Sequence, residues 1–131
     1  MTNKISESIT SKIKIQAISE FVPQNTNNDD SKNVFVYWII ITNYNESSIK
    51  LISRYWEIID AYGKIKIVEG KGVVGKQPVI DSNKSFKYNS FCVLDTKFGS
   101  MKGYYKIKIG NGKAEKIKIP QFKLLSTFSI N

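Results

Sequence analysis

The chain of 131 residues predicts an all-β fold, an antiparallel β-sandwich, and three observations carry that prediction. The tetrad Lys-Ile-Lys-Ile occurs four times, at 12–15, 64–67, 106–109 and 116–119. Strict alternation sets lysines on one face of a strand and isoleucines on the other, the pattern of a half-buried strand in an antiparallel sheet. Turn signals separate the apolar segments at intervals of about 8–12 residues, as in sandwiches and barrels. No stretch keeps a helical apolar period, and the irregular spacing of the tetrads excludes a solenoid of repeats.

Strands are expected at 12–22, 34–43, 49–60, 64–69, 84–92, 102–110, 114–119 and 121–127. Residues 1–11 are expected to be a flexible N-terminal segment, 12–127 the domain and 128–131 a C-terminal tail. The polar stretch 24–33 reads as a loop. Val34–Ile41 is apolar on both parities, which predicts a central strand covered on both faces. At eight residues it is far short of the roughly 20 needed to cross a bilayer as a helix. Asp60-Ala61-Tyr62-Gly63 joins two strands with Gly63 available for a left-handed position, and Asn111-Gly112 signals a hairpin because both residues accept positive φ. Within Leu51–Ile59, Trp56 belongs inside, and regular alternation carries Arg54 inward with it unless a bulge intervenes. An inward arginine needs acceptors. Asp60, Glu57 and Asp95 are the candidate partners, and a rim position with a surface salt bridge is the alternative.

Composition narrows the chemistry. The net charge is +9, from 20 Lys plus Arg against 11 Asp plus Glu, but nineteen of those cations are lysine and only Arg54 is arginine. Dedicated phosphate and base readers favour the planar fork of Arg. Twenty isoleucines against three alanines point to an A+T-rich coding bias, so the charge reads chiefly as a solubility feature. There is no histidine, and Cys92 is the single cysteine, so triads built on imidazole and disulfides within the chain are excluded. The same composition leaves no set of soft or borderline metal ligands, and Asp29-Asp30 is a lone acidic pair without calcium-loop spacing. The N-terminus lacks the apolar core of a signal peptide, which together with the lone cysteine gives a cytoplasmic expectation. Cys92 sits among apolar neighbours and reads as an inert core thiol; Asp95-Thr96 reads as an Asx-type turn.

The stretch Gly70-Lys71-Gly72-Val73-Val74-Gly75-Lys76-Gln77-Pro78 spells G-x-G-x-x-G, the dinucleotide fingerprint, in unsuitable surroundings. The fingerprint needs a helix to follow it, whereas Pro78 and strand-like residues come next. Two readings remain for this loop. Three glycines suit a tight, bulged connection between strands. Alternatively, successive amides form an anion nest, with Lys71, Lys76 and Arg54 adding charge, that would take a nucleotide or pyrophosphate.

Read together, these residues resemble the ApaG family. The matching blocks are Ile41-Thr42-Asn43, Leu51–Trp56, Asp60–Lys64, Gly70–Pro78, Phe86-Lys87-Tyr88, Leu94-Asp95-Thr96, Gly99–Tyr105 and Ile119–Phe122, in order over nearly the whole chain. The resemblance implies an immunoglobulin/fibronectin type III-like sandwich, a loose association with cobalt and magnesium resistance or efflux, and an interaction role for the domain in its eukaryotic settings. The chain departs from the family pattern where Tyr55 and Tyr104 replace common histidines, where Lys71 and Lys76 replace acids in the glycine loop, and where Val93 stands at a position often occupied by proline.

The function expected from the sequence is therefore a non-enzymatic module without cofactor or membrane insertion that binds another protein. Its site residues are Gly70, Lys71, Gly72, Gly75, Lys76, Gln77 and Pro78, supported by Arg54, Trp56, Asp95 and Thr96. Tyr44, Tyr62, Phe98, Tyr104 and Phe122 are candidate contact aromatics. Self-association is left open, and nucleic acid is a disfavoured third partner.

Overall fold

The computed structural model describes residues 4–23 and 32–126. It contains the strands β1 (Ser6–Thr10), β2 (Ile13–Val22), β3 (Asn33–Asn43), β4 (Ile49–Asp60), β5 (Ile65–Lys71), β6 (Val79–Ile80), β7 (Ser85–Leu94), β8 (Phe98–Ile109) and β9 (Ala114–Leu125). Two antiparallel sheets pack face to face as an immunoglobulin/fibronectin-like sandwich. The first has the order β1-β2-β3-β7; the second has the order β5-β4-β8-β9, with β6 paired to the start of β4. The centre of the 24–33 loop, the pair Asp29-Asp30 and the 128–131 tail lie outside the described residues.

Three of the four Lys-Ile-Lys-Ile tetrads bury their isoleucines as expected, with Ile13, Ile15, Ile107, Ile117 and Ile119 fully enclosed. The tetrad at 64–67 does not: Ile65 and Ile67 are 52% and 47% exposed. Alternation decides which face a residue takes, but burial also requires an opposing layer. On the edge strand β5, Ile65 and Ile67 oppose Ile59 and Glu57 on the outer face of the second sheet, where no layer covers them.

Other expectations need correction. Residues 1–11 are not wholly outside the domain, because Ser6–Thr10 pair with β2 through a two-residue turn at Ser11-Lys12. Both turn residues take positive φ (49° and 59°) without being glycine, so the sequence carries no turn signal there. The segments expected at 114–119 and 121–127 are one strand as far as Leu125, β9, whose register against β8 shifts around Pro120; residue 127 lies outside the described residues. Proline is tolerated there because a bulge asks for no ladder donor. At the β8–β9 turn the positive φ falls on Gly110, not on Asn111 or Gly112, and the Gly112 N–H closes the turn on the Ile109 carbonyl.

The core centres on Trp56, which meets Tyr37, Tyr105 and Phe122 edge-on at ring-centroid distances of 5.4, 6.3 and 5.9 Å. Trp56 and Leu51 are both buried although five residues separate them, an odd number that a regular strand would place on opposite faces. The register of β4 against β8 shifts between Leu51 and Ser53, so Ile52 is the extra residue of a bulge that restores both to the core. Hydroxyls of Ser8 and Ser19 donate to the carbonyls of Lys118 and Lys123, joining the first sheet to β9 along one side of the sandwich. Replacing Trp56 with Ala should cost about 3–5 kcal/mol, read as a lower urea midpoint at unchanged slope.

Candidate functional site

The glycine loop begins where β5 ends. The Gly72 N–H donates to the Ile52 carbonyl at 2.9 Å, and Val73 and Lys76 exchange backbone bonds at 2.8 and 2.9 Å. Val74 and Gly75 between them have φ of 44° and 78°, as in a two-residue hairpin turn. Gly72 also has positive φ (65°), and a Cβ there would fall 2.1 Å from the Lys76 carbonyl oxygen. The fingerprint is thus a small hairpin closed on itself, with Lys71 and Lys76 exposed and Val73 buried. Gln77 donates through Nε2 to the same Ile52 carbonyl at 2.9 Å, and the Pro78 carbonyl accepts from Leu51 N–H at 3.0 Å. The loop is therefore fastened to the β4 bulge.

Arg54 faces the core side at the rim of the sandwich. Its acceptors are backbone carbonyls, not Asp60, Glu57 or Asp95: Nη1 donates to Lys71 and Gly72 at 3.2 and 2.9 Å. The guanidinium lies so close to Gly70 that a Cβ there would sit 3.1 Å from both terminal nitrogens. The carbonyls keep the arginine paired without a carboxylate, an arrangement that neither composition nor spacing signals. Beneath the hairpin, Arg54, Tyr37, Tyr88, Ser90 and Val73–Gly75 line a cavity of about 170 Å³. Nη2 and Nε of Arg54 have no protein acceptor among the described residues.

Three buried phenols stand beside this cavity. The hydroxyls of Tyr88 and Tyr105 hydrogen-bond each other, and burial pushes both well above the ordinary phenol range. Burial also raises Tyr37, opposed by a hydrogen bond to Ser90. Burial pushes the Cys92 thiol up to about 11, leaving negligible thiolate at neutral pH. Asp95 and Thr96 do not join this site. Asp95 pairs with Lys32 at 2.8 Å on the surface, and Lys32 holds its carboxyl below the usual range. Thr96 Oγ1 accepts from Ala61 N–H and donates to the Phe98 carbonyl, beyond the far end of β4, about 20 Å along the strand from Arg54. Trp56 supports the site only from within the core. A larger concavity of about 590 Å³ opens at that far end, between Ala61, Phe98 and Leu125. Among the described residues, no group of three or more His, Cys, Asp or Glu is placed to hold a metal, and no helix is long and apolar enough to cross a membrane.

The two outer sheet faces differ sharply in chemistry. On the first sheet, β3 is covered on one side only among the described residues, contrary to expectation. Val34 lies between Val22 and Val93, Val36 beside Phe91, and Trp38 beside Ile18. Phe91, Val93 and Trp38 are 63%, 51% and 39% exposed. On the second sheet the outer face carries lysines around a stacked pair, Tyr55 on Tyr104, with centroids 4.8 Å apart. Of the contact aromatics expected from sequence, Tyr44, Tyr62 and Phe98 are exposed, Tyr104 is half-buried and Phe122 is in the core.

The architecture defines an immunoglobulin-like sandwich with an arginine-clamped glycine hairpin at its rim. The ApaG domain model matches residues 23–109, and the chain belongs to that family. It is 41% identical over 120 residues to Protein ApaG of Aromatoleum aromaticum, covering 92% of this chain and 94% of the relative. To Protein ApaG of Proteus mirabilis it is 38% identical over 122 residues, covering 93% and 98%. A solved structure of an ApaA protein from Bordetella pertussis superposes with a TM-score of 0.82 at 29% identity over 97% and 98% of the two chains.

Two outcomes test this geometry. Arg54→Lys keeps the charge but its shorter side chain does not carry a donor to the position of Nη1 between the two carbonyls, and should destabilise by about 1–3 kcal/mol, with faster amide exchange at Gly72. The raised folded-state pKa values of Tyr88 and Tyr105 stabilise the fold fully below the unfolded value near 10, and that stability is lost as pH climbs from there toward the folded values. Urea titrations above about pH 10 should fall by roughly 1.4 kcal/mol per pH unit per phenol, and the double variant Tyr88→Phe, Tyr105→Phe should flatten that limb.

Proposed function

We propose that this chain is a non-catalytic protein-interaction module of the cytoplasm, docking through the uncovered apolar face of β2, β3 and β7. The observation that carries this reading is the apolar surface formed by Val34, Val36, Trp38, Phe91 and Val93, bordered by Glu20 and Asn89, on a strand triplet whose other side is already core. Contiguous apolar surface of this kind marks an interaction site, whereas scattered exposed apolar residues do not. The occupant we favour is an acidic protein with an apolar centre. The net charge of +9 attracts such a partner and repels a second copy carrying the same charge. The family's association with metal-ion resistance then runs through that partner.

The test pairs sedimentation velocity with affinity measurements on the captured partner, purified. A monomer is expected, together with an acidic partner whose binding falls about tenfold or more in Phe91→Lys and is unchanged in Tyr62→Lys. A stable dimer lost in Phe91→Lys, or a partner indifferent to that substitution, would overturn the reading.

One observation favours a second reading, anion binding at the glycine hairpin: Arg54, whose Nη2 and Nε have no protein acceptor among the described residues, lines the 170 Å³ cavity. That volume is below the roughly 300 Å³ of ordinary ligand pockets, so it suits pyrophosphate better than a whole nucleotide. Calorimetry should give heat with pyrophosphate that Arg54→Met abolishes. Equal heats from the variant would remove this reading.

A further inference from the structure

We infer that the outer face of the second sheet is a binding site for single-stranded nucleic acid. On this face Lys50 stands directly opposite Lys108, and Lys106 directly opposite Lys116. Like charges in directly opposed sheet positions repel. All four are exposed, and among the described residues none has a carboxylate within ion-pair distance. Two such pairs in neighbouring rows form a built-in cationic field that only an external anion relieves. Lys106 and Lys108 are two residues apart, about 6.6–6.8 Å along the strand. That is comparable to the separation of successive phosphates in an extended polynucleotide, so the field matches a chain of phosphates better than one small anion.

The second observation is aromatic. Tyr55 and Tyr104 are also directly opposed, and their rings stack at 4.8 Å and 19°. The Lys116 ammonium lies 4.7 Å from the Tyr104 ring centre, tying the aromatic pair to the lysine field. A groove of about 270 Å³ opens beside the pair, walled by Ser53, Glu69 and Lys106. Tyr104 is held between Lys116 and Tyr55, and the remaining face of Tyr55 is the one that stacks on an unpaired base, which selects single strands over duplex. Glu69 stands opposite Tyr55 on β5, and Glu57 lies two residues along β4 from Tyr55, so phosphates are steered to the β8–β9 side. Lysine, a point charge, holds phosphate without reading base edges, so the site is insensitive to sequence. It lies on the opposite side of the sandwich from the apolar face, leaving both free at once.

The experiment is fluorescence anisotropy of a labelled oligothymidylate of about 12 nucleotides against the full chain. With four phosphate contacts, binding should weaken roughly fiftyfold between about 50 and 200 mM salt. The variant Lys106→Gln, Lys116→Gln should cut that salt effect to roughly sevenfold. The variant Tyr55→Ala, Tyr104→Ala should weaken binding about tenfold at an unchanged salt slope. If the tyrosine variant fails to fold, Lys106→Glu with Lys116→Glu must abolish binding. Lys87→Gln, on the other sheet, should change nothing. Absence of binding at low salt would overturn the inference. So would equal competition by heparin, duplex DNA or anionic vesicles with a folded tyrosine variant that binds normally, because the surface would then be a plain polyanion patch.

Discussion

One extra residue in β4, Ile52, fixes much of the molecule. Its bulge lets Leu51 and Trp56 enter the same core although a regular strand would send them to opposite faces. Its carbonyl is held by the Gly72 N–H and by the Gln77 side chain, so the bulge and the glycine hairpin hold each other in place. The same shift in register turns Arg54 toward the rim, where its guanidinium reaches the Lys71 and Gly72 carbonyls. Without the bulge, Arg54 and Trp56 would point outward, and the hairpin would lose both the charge and the acceptor that anchor it.

The rim that results is polar beneath an apolar lid. Tyr37, Tyr88 and Tyr105 are kept neutral by burial and share hydrogen bonds with each other or with Ser90, while Val73 closes the cavity from above. Buried hydroxyls of this kind are tolerated only when paired. The pairing gives the sandwich a fixed rim.

The outer faces divide the remaining chemistry. Trp38, Phe91 and Val93 make one side apolar, and the opposed lysine pairs around Tyr55 and Tyr104 make the other cationic. A sandwich buries only its inner faces, so whatever the outward parity of each strand carries becomes surface.

The sequence by itself determined the fold class, most strands, the Gly63 turn and the inward placement of Trp56, because alternation and turn chemistry are local and leave local marks. It also pointed to a non-helical path for the glycine loop, since Pro78 and the strand-like residues after it exclude the helix of a dinucleotide site. Left to the tertiary structure were matters that depend on a second segment. Strand β1 leaves no local mark because its turn uses Ser11 and Lys12, which carry no glycine signal. The cover of β3 and the exposure of Ile65 and Ile67 depend on whether another layer lies opposite, which a residue's own neighbours do not encode. Asp95 and Thr96 lie at the other end of β4 from Arg54, a separation that only the path of the strand decides. The acceptors of Arg54 are backbone carbonyls that any sequence possesses, so only the register of β4 against β5 placed them within its reach.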